Sequence, residues 1–187
     1  EFNEEWKMSN EDYFRILIDL NARECIELAQ SLLEDNNGFP YLLSVLADAY
    51  MELDDNKNAM KYYSELYKLA PGDSYANYML DSLGIEKSKL VSTAKLSDKE
   101  SERYAGTYQN DNGDKAILSC SNDTIICKYY ARQFYFIPMT KSKAYVSNYA
   151  WTIDFLFDEE HGDTINGYVL NDEFGTKTMW RRLDNSD

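Results

Sequence analysis

Through the first 85 residues, apolar positions recur every three or four residues; from about residue 104 they alternate with polar ones. The first period is that of a helix with one buried face, and the second that of a strand with one buried face. Helices are predicted over 10–20, 23–35, a pair reaching from Pro40 to Pro71, and 74–83. The first pair carries Phe14, Leu17 and Ile18, then Ile26, Ala29, Leu32 and Leu33. The last carries Tyr75, Tyr78, Met79 and Leu83, with Gly84 as its C-terminal stop. Strands are predicted over 104–108, 115–120, 124–131, 133–138, 143–148, 151–157, 164–170 and 176–181. Turn residues separate most of them: Asn112-Gly113, Asn122-Asp123, Pro138, Asn148, Glu160-His161-Gly162 and Gly175. Between the halves, Ser97 and Glu100 form a capping box that opens a short helix ending near Gly106.

The central helical pair carries a spaced motif. Leu43, Leu46, Ala47 and Tyr50 fall on one helix face. Ala59 is small enough for a second helix to approach closely, Tyr63 and Leu66 fill the space beside it, and Pro71 ends the run. Pro40 suits a first helical turn. This spacing resembles the tetratricopeptide repeat, with Leu43 where that family places Trp, and the flanking helices look like weaker copies. Repeat arrays need about three units for stability, and about two and a half are present here. A spacer or docking platform is therefore the favoured expectation, with a peptide groove as the alternative.

Eight short strands in fewer than 90 residues imply an antiparallel meander closed into a small barrel. Closure also removes edges that would be hazardous for strands this aromatic. Tyr129, Tyr130, Phe134, Tyr135, Phe136, Trp151, Phe155, Tyr168 and Trp180 either fill such a barrel or line a cavity for an apolar ligand. An eight-stranded barrel is just wide enough for either outcome, and a filled core is the favoured expectation.

Composition narrows the classes. The chain has 187 residues, 33 Asp+Glu against 19 Lys+Arg, and a net charge of -14. Such a surface repels phosphate backbones, which argues against a nucleic-acid partner. No apolar run approaches the roughly 18 residues of a membrane helix. The chain begins at Glu1 without a Met or a signal-like segment, as expected of a processed, tagged or partial chain. Cys25, Cys120 and Cys127 are an odd set, expected to be free thiols. A two-residue turn at Asn122-Asp123 places Cys127 opposite Leu118 and Cys120 opposite Ile125, a poor disulfide geometry.

Catalytic patterns are weak. Ser92-Thr93-Ala94-Lys95 has the Ser-x-x-Lys spacing of serine β-lactamases, but it lies in a polar linker without Lys-Thr-Gly or Ser-Asp-Asn. His161, the single His, sits in an acidic loop running from Asp158 to Asp163 and reads as a solvated loop residue. That loop and Asp111-Asn112-Gly113-Asp114 lack the ligand spacing of a dedicated calcium loop. The expectation is no catalytic, cofactor-binding or metal-binding residue.

Leu96-Ser97-Asp98-Lys99-Glu100 followed by Tyr104-Ala105-Gly106-Thr107-Tyr108 resembles the start of a lipocalin-like domain that follows the catalytic domain of β-lactamase-related bacterial serine hydrolases. Ile153-Asp154-Phe155-Leu156-Phe157-Asp158, then Gly162, Ile165, Gly167 and Tyr168, resembles that domain's Phe-x-x-Asp-x-x-Gly hairpin, with the Gly one residue late. Trp180-Arg181-Arg182-Leu183 resembles its last strand. The resemblance implies an α+β chain of two domains: tetratricopeptide-like helical hairpins over 1–85, a linker with a short capped helix over 86–103, and a lipocalin-like eight-stranded barrel over 104–187. It also implies a non-catalytic accessory region of a secreted serine hydrolase, acting in the periplasm or outside the cell. The expected partner is then the protein's own catalytic domain or another protein. The alternative is a stand-alone binding protein that takes a small apolar ligand in the barrel or a peptide on the helices.

Overall fold

The protein is described here by a computed structural model covering residues 10–35, 40–158 and 164–183. Helix α1 (Asn10–Asp35) is one run broken at Asn21, whose φ of -159° and ψ of 80° are extended. The expected helix pair over 10–20 and 23–35 is therefore present, joined without a loop. Helices α2 (Pro40–Glu52), α3 (Asn56–Leu69) and α4 (Ser74–Ser82) follow. Asp55 caps α3 by accepting from the Asn58 N–H at 3.1 Å, and Asp73 caps α4 by accepting from the Ala76 N–H at 2.6 Å. These carboxylates satisfy amides that the first helical turn leaves without partners. Leu43, Leu46, Ala47, Ala59, Tyr63 and Leu66 are all buried together, as their spacing requires.

After α4, Gly84 adopts a φ of +72°, the left-handed stop expected of it. The connecting segment is tied down along its length. Lys87 Nζ bonds Asn77 Oδ1 at 3.0 Å and Asp81 Oδ2 at 2.8 Å, and the Ala94 N–H donates to the Pro138 carbonyl at 2.8 Å. The capping box then forms with both of its bonds and opens α5 (Asp98–Tyr104). Glu100 also pairs with Lys141 at 2.9 Å, and with its Ser97 bonds this holds its carboxyl down at about 2.

Eight antiparallel strands make a closed barrel in which β1 pairs with both β2 and β8. They are β1 (Gly106–Asn110), β2 (Lys115–Ser121), β3 (Thr124–Tyr129), β4 (Arg132–Pro138), β5 (Lys143–Val146), β6 (Thr152–Phe157), β7 (Ile165–Asn171) and β8 (Lys177–Arg182). Each lies within about two residues of its predicted range. Tyr104 and Ala105 were expected in the first strand; Tyr104 instead ends α5, because the helix opened by the capping box runs on to it. Cys127 faces Leu118 and Cys120 faces Ile125, as expected, and the three cysteines are free thiols.

The two ends of the barrel differ. At one end α5 lies across the opening: the Tyr104 hydroxyl donates to the Lys141 carbonyl at 2.7 Å, and Arg182 bonds the Arg103 and Ala105 carbonyls at 3.0 and 2.7 Å. Tyr104 packs edge-on against Phe155 at 4.7 Å and plugs that end. The other end carries the turns after β1, β3, β5 and β7 and meets the helices. There the Tyr41 N–H donates to the Glu173 carbonyl at 3.2 Å, the Tyr41 ring lies 5.5 Å from Phe174, and Ala150 packs into the helical cluster.

Candidate functional site

The filled-core expectation holds at the end plugged by α5 and fails at the other. Tyr108, Leu118, Ile125, Ile153, Phe155 and Ile165 are packed with almost no exposure and do not line the cavity described next. Toward the opposite mouth the interior opens into a cavity of about 530 Å³. Its walls include Ala116, Cys127, Phe134, Phe136, Trp151, Tyr168, Leu170 and Trp180. That volume lies in the range of small-ligand sites, which are apolar with a few placed polar groups. Of the nine aromatics singled out in the sequence, seven line it. Phe155 lies at the plugged end, and Tyr135 is on the outer surface.

The walls are built by inward-facing alternate positions on neighbouring strands. Tyr168 on β7 stands opposite Trp180 on β8, and their rings stack at 5.7 Å with planes 9° apart. Tyr129 meets the Trp180 ring nearly at right angles at 5.5 Å. The indole N–H of Trp180 is buried with no hydrogen-bond partner among the described residues. On the opposite side Phe134, Tyr149 and Trp151 form a second ring cluster, with Tyr149 stacked on Trp151 at 4.6 Å. Trp151 is held from outside by donating its indole N–H to the Glu173 carboxylate.

One edge of the mouth is a polar network. Asn110 Oδ1 accepts the N–H groups of Asn112 and Asp114 at 3.0 and 2.9 Å and closes the β1–β2 turn. Asp114 in turn accepts from Asn110 Nδ2 at 3.1 Å, the Tyr129 hydroxyl at 3.1 Å and the Tyr130 hydroxyl at 2.5 Å. The Tyr130 and Asn110 bonds hold its carboxyl below the usual carboxylate range, so it stays ionised. Tyr130 has a φ of +51°, a left-handed conformation that is uncommon for a bulky side chain. The β3–β4 turn therefore stores strain at the mouth of the cavity, offset by the bond to Asp114. No Gly, Asn or Pro marks this turn, which explains why the sequence showed only a boundary between two strands there.

Of the three cysteines, Cys127 alone lines the cavity. Burial pushes the Cys127 thiol up to about 12, so it is a neutral wall at physiological pH. The other two thiols are raised to about 11, Cys25 by burial and the nearby Asp48 and Cys120 by burial. Ser92 and Lys95 lie exposed in an extended segment rather than on one helical turn, so the Ser-x-x-Lys spacing brings nothing together. Asp111 pairs with Arg181, and Asp114 is engaged as described. Among the described residues no group of three or more His, Cys, Asp or Glu is placed to hold a metal ion. His161 and its acidic loop lie outside the described residues apart from Asp158. No helix among the described residues is long and apolar enough to cross a membrane.

A second polar feature escaped the sequence reading. Asp48 is the one acidic residue between Leu42 and Tyr50, and it accepts a hydrogen bond from the Tyr63 hydroxyl and one from Tyr75. Burial raises its pKa above the ordinary 3.8, and its two tyrosine bonds offset this in part. The folded state therefore holds this proton more tightly than the unfolded chain. The contribution is most favourable below 3.8 and declines as pH rises through the higher folded value. Asp48→Asn keeps an acceptor for Tyr63 and removes the charge. The variant's melting temperature should exceed the wild type's at neutral pH, with the gap closing toward pH 4. Parallel melting curves across that window would refute the assignment.

No protein family, curated protein or solved structure matches the chain. The class it can be placed in is that of its fold: helices joined to a closed antiparallel eight-stranded barrel.

Proposed function

We propose that the protein is a binding protein that takes a small apolar molecule in the open half of its barrel. The supporting observation is the aromatic-walled cavity of about 530 Å³, plugged at one end and open at the other. A barrel serving purely as a spacer has no need of such a void, since unfilled apolar space in a core costs stability. In this reading the chain is not an enzyme and needs no cofactor. The helices brace the mouth by fixing the loop that carries Tyr149 and Trp151.

The test is titration with a neutral naphthylamine dye that fluoresces in apolar surroundings. Saturable binding at one site per chain is expected. Leu170→Trp, which adds bulk at the cavity wall, should weaken it about tenfold or more while circular dichroism stays unchanged. A wild type that does not bind, or a folded Leu170→Trp variant that binds equally well, would end this reading.

A second reading is that the chain is the lipocalin-like, non-catalytic end of a secreted serine hydrolase, with its tetratricopeptide-like helices as a docking platform. It is supported by an uncovered apolar stripe on α1, where Tyr13, Ile16 and Leu20 are 43%, 43% and 78% exposed. These positions fall at i, i+3 and i+7 on one helix face. That reading places the protein in the periplasm or outside the cell. A gene without an upstream hydrolase domain would remove it.

A further inference from the structure

We propose that the cavity selects an apolar monocarboxylate, its body held among the aromatic walls and its carboxylate bound by Arg132 at the mouth. This rests on the barrel being a ligand site. Arg132 opens β4, beside the strained Tyr130–Ala131 turn, and lines the cavity from an exposed position. The charges at the mouth are unequally engaged. Asp114 accepts three hydrogen bonds from Asn110, Tyr129 and Tyr130. Asn110 spends its carbonyl on two backbone amides. The Arg132 backbone pairs with Tyr129 across the turn, but its side chain makes no ion pair or hydrogen bond with another described residue. The cavity therefore presents one charged group with its full donor capacity unspent, and that group is a planar fork suited to a carboxylate. A neutral apolar molecule would leave it unused, and an organic cation would be repelled by it.

The protein's overall charge makes the inference sharp. A net charge of -14 disfavours anions and favours cations at long range. Those distant charges are screened beyond about 10 Å in ordinary buffer, whereas a contact with Arg132 is not. A preference for the anion would therefore run against the bulk field and report a local contact.

The experiment compares dodecanoate, dodecanol and dodecylammonium, each below its aggregation limit. The readout is displacement of the neutral naphthylamine dye from the full chain. Dodecanoate should bind about fivefold or more tighter than dodecanol, with dodecylammonium weakest. Arg132→Gln should bring dodecanoate down to the level of dodecanol. Equal affinities for the three, a preference for the ammonium ion, or a dodecanoate preference that survives Arg132→Gln would overturn the inference while leaving the cavity reading intact. Failure of the dye itself to bind would overturn both.

Discussion

Gly72→Ala is expected to destabilise the protein by about 3 kcal/mol and to weaken the grip of the helices on the barrel. Gly72 lies in the turn between α3 and α4, pressed against the loop that follows β5. A Cβ at this position would overlap the Val146 carbonyl oxygen and stand 2.6 Å from that of Tyr149. Both obstacles are backbone, so neither can rotate aside as a side chain would. The Val146 oxygen belongs to the end of a strand paired to β4 and β6, which anchors it further. The turn and the loop must therefore separate. Because that loop carries Tyr149 and leads into Trp151, the loss should spread to the cavity mouth, and dye affinity should fall with stability. Urea denaturation followed by tryptophan fluorescence measures the first effect, and dye titration of the folded variant measures the second. A midpoint shift equivalent to less than about 0.5 kcal/mol would show that the close approach does not exist.

Tyr168→Ala should be costlier still, at about 3–5 kcal/mol. Tyr168 is 1% exposed and stands at the centre of the barrel's aromatic packing. Its ring meets Tyr108 at 5.2 Å, Phe136 and Phe155 at 6.1 Å each, and Trp180 at 5.7 Å. Those four rings belong to β1, β4, β6 and β8, so one side chain touches strands all round the barrel. Its removal would leave a void that stiff, hydrogen-bonded strands cannot collapse. Tyr168→Phe keeps the ring and removes the hydroxyl, which lies against the Cys127 thiol. It should cost only about 1 kcal/mol. Equilibrium denaturation of the two variants checks both figures. A Tyr168→Ala protein as stable as Tyr168→Phe would refute the role assigned to the ring.

Much of the local structure was legible in the chain. Leu43, Leu46, Ala47, Ala59 and Tyr63 recur at helical spacing, and they are buried together because a helix has no other way to use that spacing. Ser97 and Glu100 announced α5, and both bonds of their box form. The hairpin at Asn122-Asp123 fixed which residues face Cys120 and Cys127, since the turn length sets the register. The candidate site was legible only as a set of aromatics. Arg132 gave no signal, being an ordinary charge beside a turn, and Asp114 stood out only as part of the Asp111–Asp114 turn weighed as a calcium loop. Tyr130 occupies a left-handed turn that sequence rules assign to Gly or Asn. Asp48 could have been noticed as a carboxylate inside an apolar run, but its tyrosine partners come from α3 and α4.

The chain by itself determined where the helices and strands lie and which face of each is apolar, because those properties depend on residues a few positions apart. Tertiary structure alone decided what the apolar faces meet. Alternation points Phe134, Phe136, Tyr168 and Trp180 into the barrel whether they fill it or line a void. The outcome depends on the barrel's girth and on which end Tyr104 and α5 plug. In the same way, Pro71-Gly72 reads as a turn in any context. The need for glycine there comes from the Val146 and Tyr149 carbonyls, which closure of the barrel and docking of the helices bring within reach of it.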